Sequence, residues 1–418
     1  HMVEQLLLLS QTFFQNQIVQ QIGHYIWITF PVWISLILII IWFKMWLEYK
    51  QRQWINLQGS ALLEIKISRE MLKSPLAMEI FLNTIYGAGV GTLIDVYLKG
   101  RVRPWFSLEL VSKGGEVHFY IWCLKASKGR VESQLYAQFP NIEVHEVPDY
   151  TLGVHRDPEK LSFGWFGQYA LTKADAYPIK TYIDYGLDKN DKEEYKNDPI
   201  TPILEYLGSL KKGENAWFQI LIQSHTKEGL KYGRVFTKPD WKSGIEKEIK
   251  DIVKKATMKT EEQKNPTMLS LSKGQIDVIA AIERASAKPA FDTMIRATYF
   301  AEKDAFNPNN IGGLIGSFAQ FGSGSLNGFK PGFNAGYDYP WQDFKGKKKA
   351  KNETKLLEAY KRRSFFNPPF KNHKGKPFIL TTEELATIFH FPSSIVAATP
   401  TLNRIPSKKG EAPSNLPI

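Results

Sequence analysis

The sequence predicts an α+β protein with one N-terminal transmembrane helix, followed by a ferredoxin-like domain and a second ferredoxin-like domain with insertions. Three observations predict this class. They are a long uncharged segment near the N-terminus, short alternating segments typical of strands, and helical segments between those strands. Hydrophobic residues make up 43% of the chain and charged residues 23%, which is typical of a globular protein and not of a disordered one.

The transmembrane prediction rests on nineteen consecutive residues without a formal charge, Tyr25–Phe43. A helix of this length reaches about 28 Å, close to the ~30 Å hydrocarbon thickness of a bilayer. Trp27 near one end, and Trp42 and Trp46 at the other, suit the membrane interfaces, where tryptophan is enriched. The sequence therefore predicts a transmembrane helix over residues 25–46.

Basic residues predict the orientation of this helix. Lys44, Lys50 and Arg52 follow the span, whereas Glu4 and no lysine or arginine precede it. The positive-inside rule then places the C-terminal bulk in the cytoplasm and residues 1–24 outside, as an amphipathic segment of an inner-membrane protein. A cleaved signal peptide is less favoured, because such peptides usually begin with basic residues.

The first soluble domain is predicted over residues 55–150. Its elements follow the order strand, helix, strand, strand, helix, strand, which is that of a ferredoxin-like unit. The predicted strands are residues 61–68, 105–112, 116–124 and 142–147, and the predicted helices are residues 75–86 and 127–138.

The second domain, residues 151–380, repeats this order once a helical insertion is removed. Its predicted strands are residues 163–171, 216–223, 290–300 and 378–380, and its helices are residues 200–210, 243–256, 273–286 and 307–320. The glycine-rich stretch Gly322–Gly336 is expected to be irregular. Residues 381–418 are predicted to form a short helix, capped by Thr382, and a proline-rich strap.

The chain contains no recognisable catalytic motif. A phosphate-binding loop needs glycines followed by Lys-Ser or Lys-Thr, and the glycine-rich segments 87–92 and 312–325 contain no lysine. The histidines lack the short spacing of zinc sites, and the single cysteine, Cys123, is expected to be buried and inert. The sequence therefore predicts a protein that is not an enzyme and has no cofactor or metal ion.

A basic segment is the strongest candidate site. Between Lys345 and Lys376 there are twelve Lys or Arg residues against two Glu, a net charge of +10. Tyr360, Phe365 and Phe366 are interleaved with these charges and are candidates to stack on unpaired bases. Nucleic-acid phosphates, anionic lipid headgroups and a merely solvated loop remain as alternatives. The candidate phosphate contacts are Lys345, Lys347, Lys348, Lys349, Lys351, Lys361, Arg362 and Arg363.

Several long blocks resemble a known family. The blocks ALLEIKISREMLKSPLAMEIF (61–81), RPWFSLELVSKGGEVHFYIW (103–122) and VESQLYAQFPNIEVHEVPDY (131–150) resemble membrane-anchored N-terminal regions of HerA/FtsK-like ATPases. These ATPases are related to the coupling proteins of conjugative type IV secretion, and the family is found mostly in candidate-phyla bacteria. Residues 379–417 are similar to the strap that leads into the motor.

The resemblance implies a non-catalytic anchor and assembly region for a translocation ATPase that moves DNA or protein. Its implied partners are the bilayer, other copies of the chain in a homo-oligomer such as a hexamer, a motor in cis or in trans, and DNA. The Walker motifs of that motor would begin after Ile418. The alternative is an independent membrane-bound scaffold or nucleic-acid-binding module without a motor.

Overall fold

A computed structural model of the chain describes residues 17–68, 73–87, 89, 91–188, 197–226, 241–261, 271–337, 339–392 and 404–405. The described part consists of a long N-terminal helix, a single β-sheet and further helices that cover both faces of the sheet. The predicted α+β class is confirmed.

The N-terminal helix, α1 (Gln17–Gln58), is continuous through Pro31. Its part Trp27–Gln58 is long and apolar enough to cross a membrane, and none of its most apolar window is buried in the protein. By length and composition alone, a signal sequence near an N-terminus would meet the same criterion.

The first half of the sheet follows α1 directly. Its elements are β1 (Ser60–Ser68), α2 (Pro75–Ile85), α3 (Leu93–Tyr97), β2 (Trp105–Lys113), β3 (Glu116–Leu124), α4 (Lys128–Gln138) and β4 (Ile142–Glu146). The predicted elements are confirmed to within about two residues at each end, and the five-residue helix α3 was not predicted. The Lys113–Gly114–Gly115 turn between β2 and β3 places both glycines at positive φ, 62° and 93°.

The second half contains longer insertions. Its elements are β5 (Leu161–Leu171), α5 (Thr201–Gly208), β6 (Glu214–Ser224), α6 (Trp241–Glu261), α7 (Lys273–Ser286), β7 (Ala290–Glu302), α8 (Asn309–Gly316), β8 (Phe329–Asn334), α9 (Lys347–Lys361), β9 (Phe378–Thr381), α10 (Thr382–Ile388) and β10 (Arg404–Ile405).

Two details of this half differ from the sequence predictions. Part of the stretch Gly322–Gly336, expected to be irregular, forms β8 and pairs antiparallel with β5. Thr381, and not Thr382, caps α10, because its hydroxyl accepts the amide hydrogen of Glu384 in a capping box.

The strands form one sheet in the order β10-β1-β3-β2-β6-β7-β5-β8, with β4 also paired to β1 and β9 to β7. All pairs are antiparallel except β1 with β10. The two halves meet where β2 pairs with β6, for example at Leu108 opposite Ile220. Each half places its strands in the order fourth, first, third, second: β4-β1-β3-β2 and β8-β5-β7-β6.

The two faces of the sheet have separate cores, because successive side chains of a strand point to opposite faces. The first face packs α2, α4, α5, α8 and α10 onto an apolar cluster whose members include Phe81, Leu135, Ile203, Leu314, Leu385, Phe119 and Ile220. The opposite face packs α9 and the end of α1 onto a second cluster that includes Trp54, Trp105, Trp122, Trp217, Leu356 and Tyr360. Burial of each large side chain stabilises the fold by about 1.5–3 kcal/mol.

Candidate functional site

Helix α9 carries six of the twelve Lys or Arg residues of the predicted basic segment and begins after a tight turn at Gly346, which has φ of 64°. The carboxylate of Asp343 accepts the amide hydrogens of Lys348 and Lys349, at 3.2 and 2.7 Å, and satisfies donors of the first helical turn. Desolvation raises the pKa of Asp343, but the backbone amides of the first helical turn and the charge of Lys348 together lower the pKa below its ordinary value. An ionised Asp343 therefore fixes the start of α9.

The lysines at this end face solvent. Lys345, Lys347, Lys348 and Lys351 are exposed, whereas Lys349 is half-buried, with its ammonium 3.8 Å from the carboxylate of Glu353. The ammonium of Lys348 donates to the carbonyl of Gln342 at 2.9 Å. The N-terminal end of α9 thus presents a concentrated positive charge at the surface, which attracts anionic ligands.

Large aromatic side chains are exposed directly before these lysines. Tyr339 is 52% exposed, Trp341 63% and Phe344 85%, and Tyr337 is also exposed. The rings of Tyr339 and Trp341 stack with centroids 4.5 Å apart and planes 12° from parallel. We call these four aromatics with Lys345, Lys347, Lys348 and Lys351 the aromatic–basic surface. Sequence reasoning missed its aromatic half, although these rings lie in a Gly-, Asp- and Pro-rich stretch outside any strand or helix pattern.

The C-terminal end of α9 has the opposite environment. Arg363, predicted to contact phosphate, is fully buried. Its guanidinium donates to both carboxylate oxygens of Glu109, at 3.0 and 3.1 Å, and to Asp149. Burial lowers the pKa of Arg363, but the charges of Glu109 and Asp149 and the hydrogen bond to Glu109 contribute to a larger opposite effect, so the pKa is raised well above its ordinary value. The prediction of Arg363 as a surface contact is therefore wrong, because its guanidinium is buried and paired with carboxylates inside the protein.

The aromatics predicted to stack on bases are buried as well. Tyr360, Phe365 and Phe366 are at most 8% exposed and belong to the core under α9. The hydroxyl of Tyr360 lies 3.0 Å from that of Tyr150, which donates to Glu109 at 2.8 Å. These rings cannot meet a nucleic acid in this structure, and the exposed rings on the other side of the lysines take their place as candidates.

A second buried arginine attaches the same end of α9 to the sheet. Arg296, on β7, donates to the side-chain oxygen of Gln219 at 2.6 Å and to the carbonyl of Ala359 at 2.8 Å. Burial lowers the pKa of Arg296 to about 9. Gln219 also donates to Glu109 at 2.8 Å, so one continuous network of charges and hydrogen bonds holds α9 on the sheet.

The remaining basic residues of the predicted set line a cleft of about 570 Å³ between the ends of α1 and α9. Lys361, Arg362 and Arg52 all line this cleft, so the structure brings members of the two predicted sets to one place. Arg362 is exposed and lies 3.7 Å from Glu358. Trp105 and Trp122, with ring centroids 5.3 Å apart, form the apolar wall.

The predicted membrane-interface residues lie along α1. Trp27 is 74% exposed and Trp42 62%. Trp42 stacks on Trp46 at 6.0 Å, and the ammonium of Lys50 lies 4.8 Å from the centre of the Trp46 ring. In addition, Lys44 is exposed and Arg52 lies 3.7 Å from Glu48.

Cys123 is fully buried on β3, and burial raises the pKa of its thiol to about 12, so the thiol is protonated at neutral pH. Within the ranges that the structure describes, no group of three or more His, Cys, Asp or Glu side chains could hold a metal ion.

Comparison with known proteins gives one family. Residues 72–403 match the family model described as a domain of unknown function, DUF8128. This range covers most of the chain and includes strands β2 to β9. No curated protein matches the chain.

Proposed function

The chain belongs to the DUF8128 family, and we propose that it is the membrane-anchoring and assembly region of a HerA/FtsK-like translocation ATPase. In this proposal it is itself non-catalytic, spans the inner membrane once with its N-terminus outside, and holds a motor, supplied in cis or in trans, at the cytoplasmic side. The sequence blocks that resemble such regions support it, and the remaining support comes from α1, the sheet and the aromatic–basic surface.

The observation that carries the proposal is the contrast along α1. Between Trp27 and Phe43 its apolar side chains are exposed except for the half-buried Ile34; Ile40, for example, is 67% exposed and Ile41 49%. Such a row of aliphatic and aromatic side chains is unfavourable in water and suits a bilayer. The basic residues that follow the span favour a cytoplasmic C-terminal side.

The same helix then continues past the apolar part and packs on the soluble core. Gln51 is buried, and Trp54 and Ile55 pack against the cluster under α9. The helix is continuous from the span into these contacts, and Phe43 at the end of the span itself stacks on Tyr97 of the domain, which favours a permanent anchor over a cleaved signal sequence. The anchor and the sheet are then joined through a packed helix, which suits a part that must position a motor.

We further propose that the two halves of the sheet are ferredoxin-like units. Each has the element order strand, helix, strand, strand, helix, strand and the spatial order fourth, first, third, second. In the second unit, α6 and α7 are inserted between β6 and β7, and β8 supplies the fourth strand. The pairing of β2 with β6 would join the units at equivalent edges, as expected for a duplicated unit.

In this proposal the aromatic–basic surface contacts nucleic acid. Lysine ammonium groups bind backbone phosphates with release of counterions, and exposed aromatic rings stack on unpaired bases. The surface lies near β8, and the anchor is followed directly by β1. These two strands are six strand spacings apart in the sheet, a distance of about 29 Å. This separation and the exposed ring stack favour nucleic acid over the lipid beside α1.

The test is the mass of the detergent-solubilised full chain by light scattering, alone and with double-stranded or single-stranded DNA. A ring-sized oligomer that retains DNA is the expected result. A monomer that ignores both DNAs would contradict the assembly and DNA-binding parts and leave the alternative of an independent membrane-bound scaffold. A Walker-motif ATPase encoded in frame or directly downstream is expected, and its absence would also favour that scaffold.

A further inference from the structure

Helix α3 lies beside α1 at the end of the apolar span. The ring of Tyr97, the last residue of α3, stacks on Phe43 with centroids 5.9 Å apart. Gly100, with φ of 72°, approaches α1 so closely that a Cβ atom there would lie 2.4 Å from the carbonyl carbon of Lys50. Because α1 rises 1.5 Å per residue, the segment from Gly100 back to Tyr97 climbs about 10 Å along α1 toward the membrane.

The short helix is well defined at its start. Thr92 and Asp95 form a capping box, and the ammonium of Lys99 lies 2.8 Å from the carboxylate of Asp95. The side chain of Val96 is fully buried and attaches the helix to the domain. The side of α3 that carries Val96 is therefore fixed against the domain, and the opposite side points away from the domain in a fixed direction.

The outer face is apolar. Leu93 is 39% exposed, Ile94 59% and Leu98 60%, and the last two lie four residues apart, on the same side of the helix. Burial of apolar side chains is favourable, so three neighbouring ones left in water are unfavourable. Arg101 is exposed next to them, and Lys44 is exposed on α1 just beyond the span.

We infer that α3 lies in the headgroup region of the bilayer leaflet that α1 leaves, with Leu93, Ile94 and Leu98 inserted toward the acyl chains. This inference rests on the proposed function of α1 as an anchor. Interfacial helices bury an apolar face while basic side chains meet anionic headgroups, and Arg101 and Lys44 supply that charge here.

The consequence concerns the orientation of the soluble part. With α1 as the sole attachment, the sheet could rotate about the axis of the anchor. A second insertion point beside Phe43 removes that rotation and holds one side of the domain at the membrane. The chain would thereby present its other surfaces, including the aromatic–basic surface, in a fixed direction to the cytoplasm.

The test uses cysteine-attached fluorophores in the full chain, reconstituted in vesicles of phosphatidylcholine and phosphatidylglycerol. The native Cys123 is buried and its thiol is protonated, so the unmodified chain serves as the labelling blank. The labelled variants are Ile94→Cys and Leu98→Cys. Leu38→Cys, at an exposed position within the span, is the positive control, and Leu152→Cys, at a position 66% exposed in a loop of the domain, is the negative control. Quenching is measured with lipids brominated along the acyl chain and, separately, with aqueous iodide.

We expect labels at positions 94 and 98 to lose fluorescence to the brominated lipid, as at position 38, and to be blue-shifted relative to position 152. Quenching at 38 but not at 94 and 98 would overturn the inference and leave the anchor intact. Protection of 94 and 98 from both quenchers would overturn it in favour of a protein-covered face, such as another copy of the chain. Absence of lipid quenching at 38 would contradict the anchor itself, and the inference with it.

Discussion

The two ends of α9 are both rich in basic residues but have opposite environments. The N-terminal end, around Lys345–Lys351, is exposed and follows a stretch of exposed aromatics. The C-terminal end places Arg363 under the surface, paired with carboxylates 254 and 214 residues away in sequence. Charge density along the chain therefore does not distinguish a binding surface from a buried ionic network. Whether a basic end is buried or exposed depends on whether carboxylates from other parts of the fold lie beside it.

Glu109 explains why the buried end is stable. It lies on β2 with no exposed surface and accepts hydrogen bonds from Ser107, Tyr150 and Gln219 in addition to Arg363. A buried charge is tolerated when all of its hydrogen-bonding capacity is satisfied, and it becomes costly when one partner is lost. The network thus fixes the position of α9, and with it the direction of the exposed end.

The strongest change in stability should come from removing the buried arginine at the C-terminal end of α9. Arg363→Met leaves Glu109 buried without its cationic partner and should destabilise the chain by about 3–5 kcal/mol. The measurement is thermal unfolding of the detergent-solubilised chain followed by tryptophan fluorescence. Arg362→Met, which removes an exposed charge of the same type one residue earlier, is the matched control and should change stability by no more than about 1 kcal/mol.

A double variant tests whether the loss of stability comes from the unpaired charge of Glu109. Adding Glu109→Gln to Arg363→Met removes the uncompensated charge, so it should recover part of the lost stability. If Arg363→Met were no more destabilising than Arg362→Met, the two ends of α9 would not differ in the way described.

The next effect concerns the exposed end. If the aromatic–basic surface binds single-stranded nucleic acid, Trp341→Ala should weaken binding by about 1–3 kcal/mol, the contribution of stacking on one base. Fluorescence anisotropy of a labelled oligonucleotide measures it. Trp341→Phe keeps a stacking ring and should retain most of the affinity, and equal affinity of all three proteins would exclude Trp341 from the contact.

The lysines should act through salt dependence. Lys347→Gln, Lys348→Gln and Lys351→Gln together should reduce the slope of log affinity against log salt concentration by about 2 for single strands. The control variant replaces three exposed lysines elsewhere, Lys125, Lys211 and Lys212, with glutamine and changes the net charge equally. Equal slopes for the two triple variants would indicate attraction by overall charge and not by this surface.

The smallest effect is local and lies at Asp343. Asp343→Ala should speed amide hydrogen exchange at Lys348 and Lys349, relative to their intrinsic rates, without changing global unfolding. Since the pKa of Asp343 is lowered by folding, its stabilising effect is present above the ordinary aspartate pKa and is lost as pH falls through the lowered value. Unchanged exchange in the variant would show that Gly346 and the helix itself suffice to start α9.

Much of the fold could be predicted because its signals are local. The strands β1, β2, β3 and β6 have alternating or uniformly apolar patterns, and α2 begins at a capping serine followed by proline. By contrast, β8 has the sequence FKPGFN, with a proline and a glycine that disfavour strands. It forms because the edge of β5 offers backbone partners. The predicted last strand is observed as β9. It pairs with β7, and the position beside β5 is taken by β8.

The candidate site was predictable only in part. The lysines before and within the first turns of α9 lie at the surface because their sequence offers no apolar face to bury. Trp341 and Phe344 were predictable in principle, because they fall outside any periodic pattern and so have no core position to fill. No local signal marks Arg363 as buried, since its partners Glu109 and Asp149 lie more than 200 residues earlier in the chain.

The apolar helix, the α+β class, most strands and helices, and the excess of positive charge follow from the amino-acid sequence, because each depends on neighbouring residues along the chain. The pairing of β2 with β6, the formation of β8 and the burial of one end of α9 follow from the three-dimensional arrangement. These outcomes depend on backbone and charge partners brought together from distant segments, and burial is a property of that arrangement and not of any one segment.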